Sequence, residues 1–265
     1  SDGDFNIDIY IEKVYKKIQN FVIDNNYEDI TIKAFATGIY RNAGNKDIVL
    51  DLLKKIPNIQ ITVLSIEQES QLSFNSYIKN NEQKITEDVI YIDVGGGSTE
   101  IAIFNNSILQ SCISIEIGVT TLVKKLFEYN RSLDKAFQDI KKYIINRLQQ
   151  NSEFLTLVKN IIKKNRCSIV VTGMTAKKIP RKYFKNESIS ILSLNLYLAD
   201  KQNQINDFKN TFYLRNVYKS RNGRKVVNNI NLCLGSFFLY FIIEKIEADK
   251  FFVNRQGLKY SFINL

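Results

Sequence analysis

Apolar side chains in the first 80 positions follow two different spacings. Three stretches repeat an apolar residue every three to four positions, which predicts amphipathic helices at 7–22, 46–56 and 67–77. Pro57 ends the second of these helices. Two short β-branched runs predict strands at 30–36 and 59–64. The alternation of helix and strand is typical of an α/β domain with parallel strands.

The pattern changes after a polar segment at 79–88, which we interpret as the boundary between a first domain (1–88) and a second domain (89–265). Three apolar runs joined by short turns then predict a strand meander at 89–94, 99–104 and 108–115. Helical spacing predicts further helices at 119–127, 133–148, 153–164, 176–184, 194–208 and 227–246. Two more strands are predicted at 168–171 and 250–253.

The first turn of the meander, within VIYIDVGGGSTE at 89–100, is the most informative stretch of the chain. Three consecutive glycines allow positive φ angles and a close approach of the backbone to a ligand, and successive N–H groups in such a turn can hold an anion. Asp93 and Glu100 flank the turn, and carboxylates beside a bound phosphate usually hold a hard cation such as Mg²⁺. A plain tight hairpin is the alternative, but the flanking acids favour a phosphate site.

Composition removes several classes of chemistry. The chain has no histidine, which excludes Ser-His-Asp and Cys-His catalysis and histidine-ligated metal sites. A carboxylate, Lys, Tyr or Cys must therefore act as any general base. Cys112, Cys167 and Cys233 are far apart in apolar contexts, which predicts buried free thiols and fits a reducing, cytoplasmic location. The sequence shows no signal peptide and no apolar run of about 18 residues, so we expect no membrane span.

The chain carries a formal net charge of +10, with basic clusters at 163–166, 177–185 and 219–225. Such an excess favours an anionic partner: polyphosphate, a nucleotide or a nucleic acid. The alternative is a set of solvated helix faces in a Lys-rich chain. No basic stripe is interleaved with aromatic residues, so we expect no specific nucleic-acid partner.

Several segments, taken together and in order, resemble one known family. They are Ala36-Thr37 with Arg41, Ala43 and Asn45; VLS at 63–65 with Glu67, Glu69 and Leu72; DVGGGSTE at 93–100; Gly118 at a helix start; TGMTA at 172–176; and Val253 with Gly257 and Leu258. This set resembles the Ppx/GppA family of exopolyphosphatases and guanosine pentaphosphate phosphohydrolases. The resemblance implies the actin-like ATPase fold, an α/β fold of two RNase H-like domains with a cleft between them.

The sequence also departs from the family pattern. The family's first phosphate motif, an IDxGSNSxRL strand-turn-strand, has no counterpart at the start of the sequence, so the first strands of domain one are expected to be missing. Met174 replaces a glycine of the third motif, and Thr121 stands where the family usually has arginine. Ser70-Gln71 replace the Ala-Arg pair that usually follows the glutamate corresponding to Glu69.

The resemblance implies a role for each candidate residue. Glu69 would orient or deprotonate the attacking water, which is the main need of a phosphoryl transfer besides charge neutralisation. Asp93 and Glu100 would hold Mg²⁺ and help to position the nucleophile. The phosphate would be bound by Arg41, Gly95, Gly96, Gly97, Ser98, Thr99, Gly173 and Thr175. The alternatives are a solvated acid at Glu69 and a surface arginine at Arg41.

From these roles we expect a phosphoanhydride hydrolase that releases terminal phosphate from inorganic polyphosphate, guanosine pentaphosphate or both. The alternative is a non-catalytic or degenerate regulatory protein that binds polyphosphate or an alarmone. A third option is an actin-like ATPase or kinase. A homodimer is the default expectation for the oligomeric state.

Overall fold

The computed structural model describes residues 4–79, 88–128, 131–164, 167–206, 210–219, 223–256 and 258. The chain divides into two compact units, Ser1–Glu69 and Ser70–Leu265. The division falls inside a helix, upstream of the polar segment that we interpreted as the boundary. Residues 80–87 of that segment lie outside the described residues, so the boundary at 79–88 stays a prediction.

Helices and a pair of strands alternate in the first unit. The elements are α1 (Ile7–Tyr10), a π-helical turn (Ile11–Tyr15), α2 (Lys16–Asp24), β1 (Ile32–Ala36), α3 (Ile39–Asn42), α4 (Lys46–Lys54) and β2 (Ile59–Val63). β1 and β2 pair in parallel, from Ile32 opposite Ile59 to Ala36 opposite Val63. The order of elements and the parallel pairing are confirmed, whereas the short helix α3 was not predicted.

Apolar side chains from the helices of the first unit pack together with residues of both strands. The fully buried members of this cluster are Tyr10, Val22, Val49, Leu53 and Ile56. They occupy the apolar positions of the helical repeats that predicted α2 and α4, and Ile56 directly precedes Pro57. The hydrophobic period therefore identifies these buried positions but not every apolar one, since Phe21 in α2 is 56% exposed and Ile48 in α4 is 55% exposed.

The helix that contains the division between the units is α5 (Ile66–Ile78). Its start is fixed by a reciprocal cap. The Gln68 backbone N–H donates to Ser65 Oγ at 3.2 Å, and the Ser65 N–H donates to Gln68 Oε1 at 2.9 Å. This capping box satisfies backbone donors that a helix start otherwise leaves unpaired. The helix predicted at 67–77 is confirmed.

The second unit contains a six-stranded sheet in the order β5-β4-β3-β6-β8-β7. Its strands are β3 (Asp88–Val94), β4 (Thr99–Asn105), β5 (Ile108–Ile115), β6 (Cys167–Gly173), β7 (Ser188–Ser190) and β8 (Lys250–Val253). β3, β4 and β5 form the predicted antiparallel meander, and β3, β6 and β8 run parallel to one another. The carboxyl ends of these three strands consequently meet at one edge of the sheet, as expected for an RNase H-like domain.

Seven helices accompany the sheet within the described residues of the second unit: α6 (Val119–Leu126), α7 (Leu133–Gln150), α8 (Ser152–Lys164), α9 (Met174–Lys177), α10 (Ile191–Asn203), α11 (Thr211–Lys219) and α12 (Arg224–Lys245). α12 lies in the main hydrophobic core, where Ile230, Leu234, Phe238 and Ile242 are fully buried one helical turn apart. α12 also packs closely against α9 at Gly235, where a Cβ would lie 2.0 Å from Thr175 Oγ1.

The helix predicted at 176–184 is wrong in extent. α9 covers only Met174–Lys177 and is followed by a short 3₁₀ turn at Arg181–Tyr183. Pro180 explains the break, because proline has no N–H to donate and disfavours helical geometry in the residue before it. The helix α11 and the strand β7 were not predicted.

α12 is also the helix, among the described residues, whose length and apolar composition would suit a membrane span, but 67% of its most apolar stretch is buried inside the protein. This is the environment of a core helix. The three cysteines are free, as predicted, but only Cys233 on α12 is fully buried. Cys112 and Cys167 are partly exposed on strands of the sheet, so the prediction that all three are buried is wrong.

Candidate functional site

Asp93 and Glu100 lie directly opposite each other on β3 and β4. Paired residues of adjacent strands place their side chains on the same face of the sheet. Ser114 on β5 is opposite Glu100, and Thr172 on β6 is opposite Asp93. The two candidate carboxylates are therefore the centre of a polar row that crosses four strands at one edge of the sheet.

Hydroxyl groups hold the Glu100 carboxylate. Glu100 is only 5% exposed, and its Oε1 atom accepts hydrogen bonds from Ser98 Oγ at 2.8 Å and from Ser114 Oγ at 2.9 Å. Both donors approach the same oxygen, so the carboxylate is fixed in orientation by the turn and by the neighbouring strand.

A side chain of α5 holds the Asp93 carboxylate. Its Oδ2 atom accepts a hydrogen bond from Ser73 Oγ at 2.9 Å, and Ser73 Oγ also lies 3.1 Å from the Tyr91 hydroxyl. Burial, followed by the nearby charge of Asp93, raises the pKa of Tyr91. Tyr91 is therefore a neutral phenol at physiological pH, and it also accepts a hydrogen bond from Asn254 Nδ2 at 2.9 Å. This buried network fixes the position of Asp93.

The glycine turn is closed by one hydrogen bond, in which the Gly95 N–H donates to the Ser98 carbonyl at 3.0 Å. The N–H groups of Gly96, Gly97 and Ser98 have no acceptor within the described part of the chain. A side-chain carbon on Gly97 would meet nothing within 4 Å. Three successive unpaired N–H groups, with open space beside Gly97, can bind an anion.

Positive φ angles are not the reason for these glycines, contrary to our expectation. Among the described glycines, only Gly38 and Gly173 have positive φ. Glycine at position 95 is instead explained by space, because a Cβ there would lie 2.8 Å from the Ser98 carbonyl oxygen. The turn is thus tight without being in the left-handed region.

The first backbone N–H groups of α6 hydrogen-bond to the glycine turn. The Val119 and Thr120 N–H groups donate to the carbonyls of Gly95 and Gly96 at 3.1 and 2.7 Å. A Cβ on Gly118 would lie 2.3 Å from the carbonyl carbon and oxygen of Gly96. The two backbones are therefore in contact, which explains the glycine that we expected at the start of this helix.

Two threonines near the turn bond to backbone carbonyls. Thr121 Oγ1 donates to the Gly97 carbonyl at 3.3 Å. Thr121 stands where the family usually has arginine, and it contacts the turn through this bond. Thr99 is fully buried and its hydroxyl donates to the Ile117 carbonyl at 2.8 Å. The structure thus places the predicted phosphate ligand Thr99 inside the protein, where its hydroxyl stabilises the loop before α6.

The third predicted loop begins at the same edge of the sheet. Gly173 has a φ of 102° and lies opposite Val94, where a Cβ would be 2.2 Å from the Val94 carbonyl oxygen. Thr175 is buried, and its side chain lies against Gly235 of α12. Met174, 63% exposed, is the outermost side chain of this loop. Gly173 therefore lies beside the glycine turn, while Thr175 packs into the core.

The first unit brings Arg41 and Glu69 together. Arg41 Nη1 forms an ion pair with Glu69 Oε2 and also donates to the Leu64 carbonyl at 3.0 Å. Each side chain of the pair is only 12% exposed. Arg41 was expected to contact phosphate, and the structure shows that it contacts the candidate catalytic carboxylate.

Glu67 differs from Glu69 in its surroundings. It is exposed, and the hydroxyl of Ser65 and its own backbone N–H lower the pKa of its carboxyl group. Only Glu69 of the two is held by a guanidinium and largely shielded from water. This separates the candidate base from the solvated acid two positions before it.

The donor set around the glycine turn suits a small hard cation. No group of three or more His, Cys, Asp or Glu side chains is close enough to hold a metal within the described residues. Mg²⁺ is commonly held by only one or two carboxylates, several waters and substrate phosphates. The adjacent carboxylates of Asp93 and Glu100 fit that pattern.

Sequence reasoning missed the side chains that support the two carboxylates: Ser73, Tyr91, Ser114 and Asn254. Counting the register back from the turn between β4 and β5 would have indicated Ile113 opposite Glu100, because a bulge between Ile103 and Phe104 shifts the pairing by one residue and brings Ser114 there instead. Asn254 had no signal, because its hydrogen bond to Tyr91 joins positions 163 residues apart.

A model of the Ppx/GppA phosphatase family matches residues 4–257 of the chain. The chain is 25% identical over 170 residues to the bifunctional 3-dehydroquinate synthase/phosphatase of Fusobacterium nucleatum. That alignment covers 63% of this chain and 24% of the Fusobacterium protein, so the chain spans about a quarter of that relative.

Solved structures of two similar proteins have the same fold. The Aquifex aeolicus member of the Ppx/GppA family superposes with a TM-score of 0.64 at 18% identity, over 98% of this chain and 81% of that one. An exopolyphosphatase from Cytophaga hutchinsonii superposes with a TM-score of 0.63 at 17% identity, over 93% and 77% of the two chains. The expected α/β fold, shared with these two proteins, is thereby confirmed.

Proposed function

The chain belongs to the Ppx/GppA phosphatase family, whose members hydrolyse phosphoanhydrides, and we propose from that premise that it releases terminal phosphate from inorganic polyphosphate, guanosine pentaphosphate or both. The observation that carries the proposal is the turn between β3 and β4. Its three unpaired N–H groups stand between two carboxylates, Asp93 and Glu100, that are paired in register.

In this proposal Asp93 and Glu100 hold Mg²⁺. When bound, the cation neutralises negative charge on the phosphate oxygens and on the leaving group. The protein's part is orientation. Ser73 fixes Asp93 from α5, while Ser98 and Ser114 fix Glu100 from within the sheet. Asp93 and Glu100 are expected to keep this geometry when substrate binds, because both are anchored before it arrives.

The turn and the Arg41–Glu69 pair have separate tasks. The N–H groups of Gly96, Gly97 and Ser98 bind oxygens of the terminal phosphate. Glu69 orients the attacking water and accepts its proton, since the chain has no histidine for this role. Arg41 holds the Glu69 carboxylate in place through their ion pair. Phosphoryl transfer needs little more from a protein than this positioning and charge neutralisation.

Basic residues near the turn support a polyanionic substrate. Segments that follow the carboxyl ends of β6 and β8 carry Lys177, Lys178, Arg181, Lys182 and Arg255. Lys178 Nζ donates to Asn228 Oδ1, and Arg255 Nη1 donates to the Lys177 carbonyl, both at 2.6 Å. Because β3, β6 and β8 are parallel, this basic edge lies at the same end of the sheet as the glycine turn. We therefore favour long polyphosphate as the substrate.

The test is phosphate release by the full protein from polyphosphate and from guanosine pentaphosphate, with and without Mg²⁺. We expect release that depends on Mg²⁺ and stops when the cation is chelated. A protein that binds polyphosphate but releases no phosphate from either substrate would exclude the hydrolase and support the regulatory binding protein.

A further expected result concerns salt. Attraction between the basic edge and a polyanion is screened within about 8 Å at physiological ionic strength, so polyphosphate affinity should fall steeply between low and high salt. Titration of labelled polyphosphate at several salt concentrations measures this. An affinity independent of salt would contradict a role for the basic edge, while leaving the chemistry at the turn unaffected.

A further inference from the structure

One face of α5 carries three buried serines. Ser70, Ser73 and Ser76 are 2%, 1% and 1% exposed. Their spacing of three residues places them on the same side of the helix. Ser73 and Ser76 face β3 and the end of β8, where they contact Tyr91, Asp93 and Asn254. The stripe therefore packs against the strand that carries Asp93.

Two of the three hydroxyls have partners in the protein. Ser73 Oγ donates to Asp93, and Ser76 Oγ donates to the Ser73 carbonyl at 2.6 Å. Ser70 Oγ is buried and has no hydrogen-bond partner among the described residues. A buried hydroxyl left unpaired is destabilising by about as much as a lost hydrogen bond. Because no described residue pairs with it, we expect the partner of Ser70 to be a small molecule such as water.

The contacts of the stripe show where Ser70 lies. Ser76 is bonded at the level of Tyr91 and Asn254, and Ser73 bridges Tyr91 and Asp93. Going towards the start of α5 thus follows β3 towards its carboxyl end. Three helical residues rise about 4.5 Å, about two thirds of the roughly 6.6 Å from one same-face strand residue to the next. Ser70 accordingly lies past Asp93, on the side of the glycine turn.

We propose that Ser73 and Ser70 are positioning residues for Asp93: Ser73 fixes one carboxylate oxygen, and the Ser70 hydroxyl binds a water molecule in the hydration shell of the cation that Asp93 and Glu100 hold. The inference rests on the proposed function of that carboxylate pair. It belongs to this chain and not to the family pattern, because the usual residue at position 70 is alanine.

The chemistry of Mg²⁺ makes such a contact useful. The ion keeps several of its waters and demands near-octahedral geometry. Groups that hydrogen-bond to the ligating side chains orient them, and losing such a group typically lowers metal affinity by about 10–100-fold. A hydroxyl can donate to and accept from water, so Ser70 suits a bound water better than the usual alanine.

The test measures Mg²⁺ binding by calorimetry on the full protein, without substrate. Ser73→Ala and Ser70→Ala are each expected to weaken Mg²⁺ affinity by about 10-fold, the lower end of the range for outer contacts. Ser70→Ala should fold at least as stably as wild type, because it removes an unpaired hydroxyl. Ser76→Ala is the matched control. It removes a buried hydroxyl from the same stripe but away from Asp93, so it should lower Tm and leave Mg²⁺ affinity unchanged.

Asp93→Asn separates this inference from the proposed function. If Asp93→Asn loses Mg²⁺ binding while Ser70→Ala and Ser73→Ala bind like wild type, the positioning role is wrong and the cation site stands. If wild type itself binds no Mg²⁺, both are wrong. Ser70→Ala remains informative even where Ser73→Ala fails to fold.

Discussion

Replacing Glu69 with Gln is expected to lower phosphate release by about 10²–10⁴-fold, the usual effect of losing a general base. The substitution keeps the size of the side chain and one oxygen that can accept from Arg41, but it removes the negative charge. Substrate affinity should change little or improve, because one charge near a polyanion is gone. Steady-state kinetics on polyphosphate would show the loss in kcat rather than in KM.

Glu67→Gln is the control for this substitution. Glu67 is exposed, and its carboxylate interacts with the Ser65 hydroxyl and its own backbone N–H and, most weakly, with the charge of Arg41, so Glu67→Gln should leave kcat near the wild-type value. Equal losses in both variants would indicate a general effect of charge on this helix. Wild-type turnover in Glu69→Gln, with Tm unchanged, would move the search for the base to Asp93 or Glu100.

Local periodicity predicted most of the fold because the buried face of each element repeats along the sequence. The meander at β3–β5 and the core helix α12 are the clearest cases. The errors lie where local signals were weak. α9 is only four residues long, and α11 lies in a segment for which we predicted no helix or strand. β7 has three residues, too few to show an alternating pattern.

The carboxylate pair could be predicted because both residues lie on one hairpin. Side chains along a strand alternate between the two faces of the sheet, so the number of residues between Asp93 and Glu100 determines that they share a face. The support for Asp93 could not be predicted in this way. It depends on how α5 and the end of β8 pack on β3, and those contacts join segments up to 178 residues apart.

The motif match identified positions more reliably than it identified roles. Thr99 and Thr175 belong to segments that resemble phosphate motifs, yet both side chains are buried. Arg41 contacts Glu69 rather than open space. Sequence similarity preserves the backbone path of such loops, whereas the direction of each side chain is decided by its neighbours in the folded protein.

Gly118→Ala is expected to displace the glycine turn. The φ of Gly118 is −144°, an extended value that alanine adopts freely, so the effect comes from contact alone. The new Cβ would lie 2.3 Å from the Gly96 carbonyl, and one of the two backbones must move. We expect a loss of about 2 kcal/mol in unfolding free energy, typical of overpacking, and a fall of roughly 4–8 °C in Tm. Phosphate release should fall about 10²-fold, because the N–H groups of the turn lose their positions.

Gly97→Ala tests whether the loss of stability in Gly118→Ala comes from its contact with Gly96 or from any substitution near the turn. A Cβ at position 97 meets nothing within 4 Å, and the φ of Gly97 is not positive, so Tm should stay within about 1–2 °C of wild type. The added methyl group would stand where phosphate is proposed to bind, so KM for polyphosphate should rise while stability does not change. If Gly118→Ala has normal Tm and activity, α6 does not support the turn. If Gly97→Ala has normal KM, the phosphate does not approach the turn from its open side.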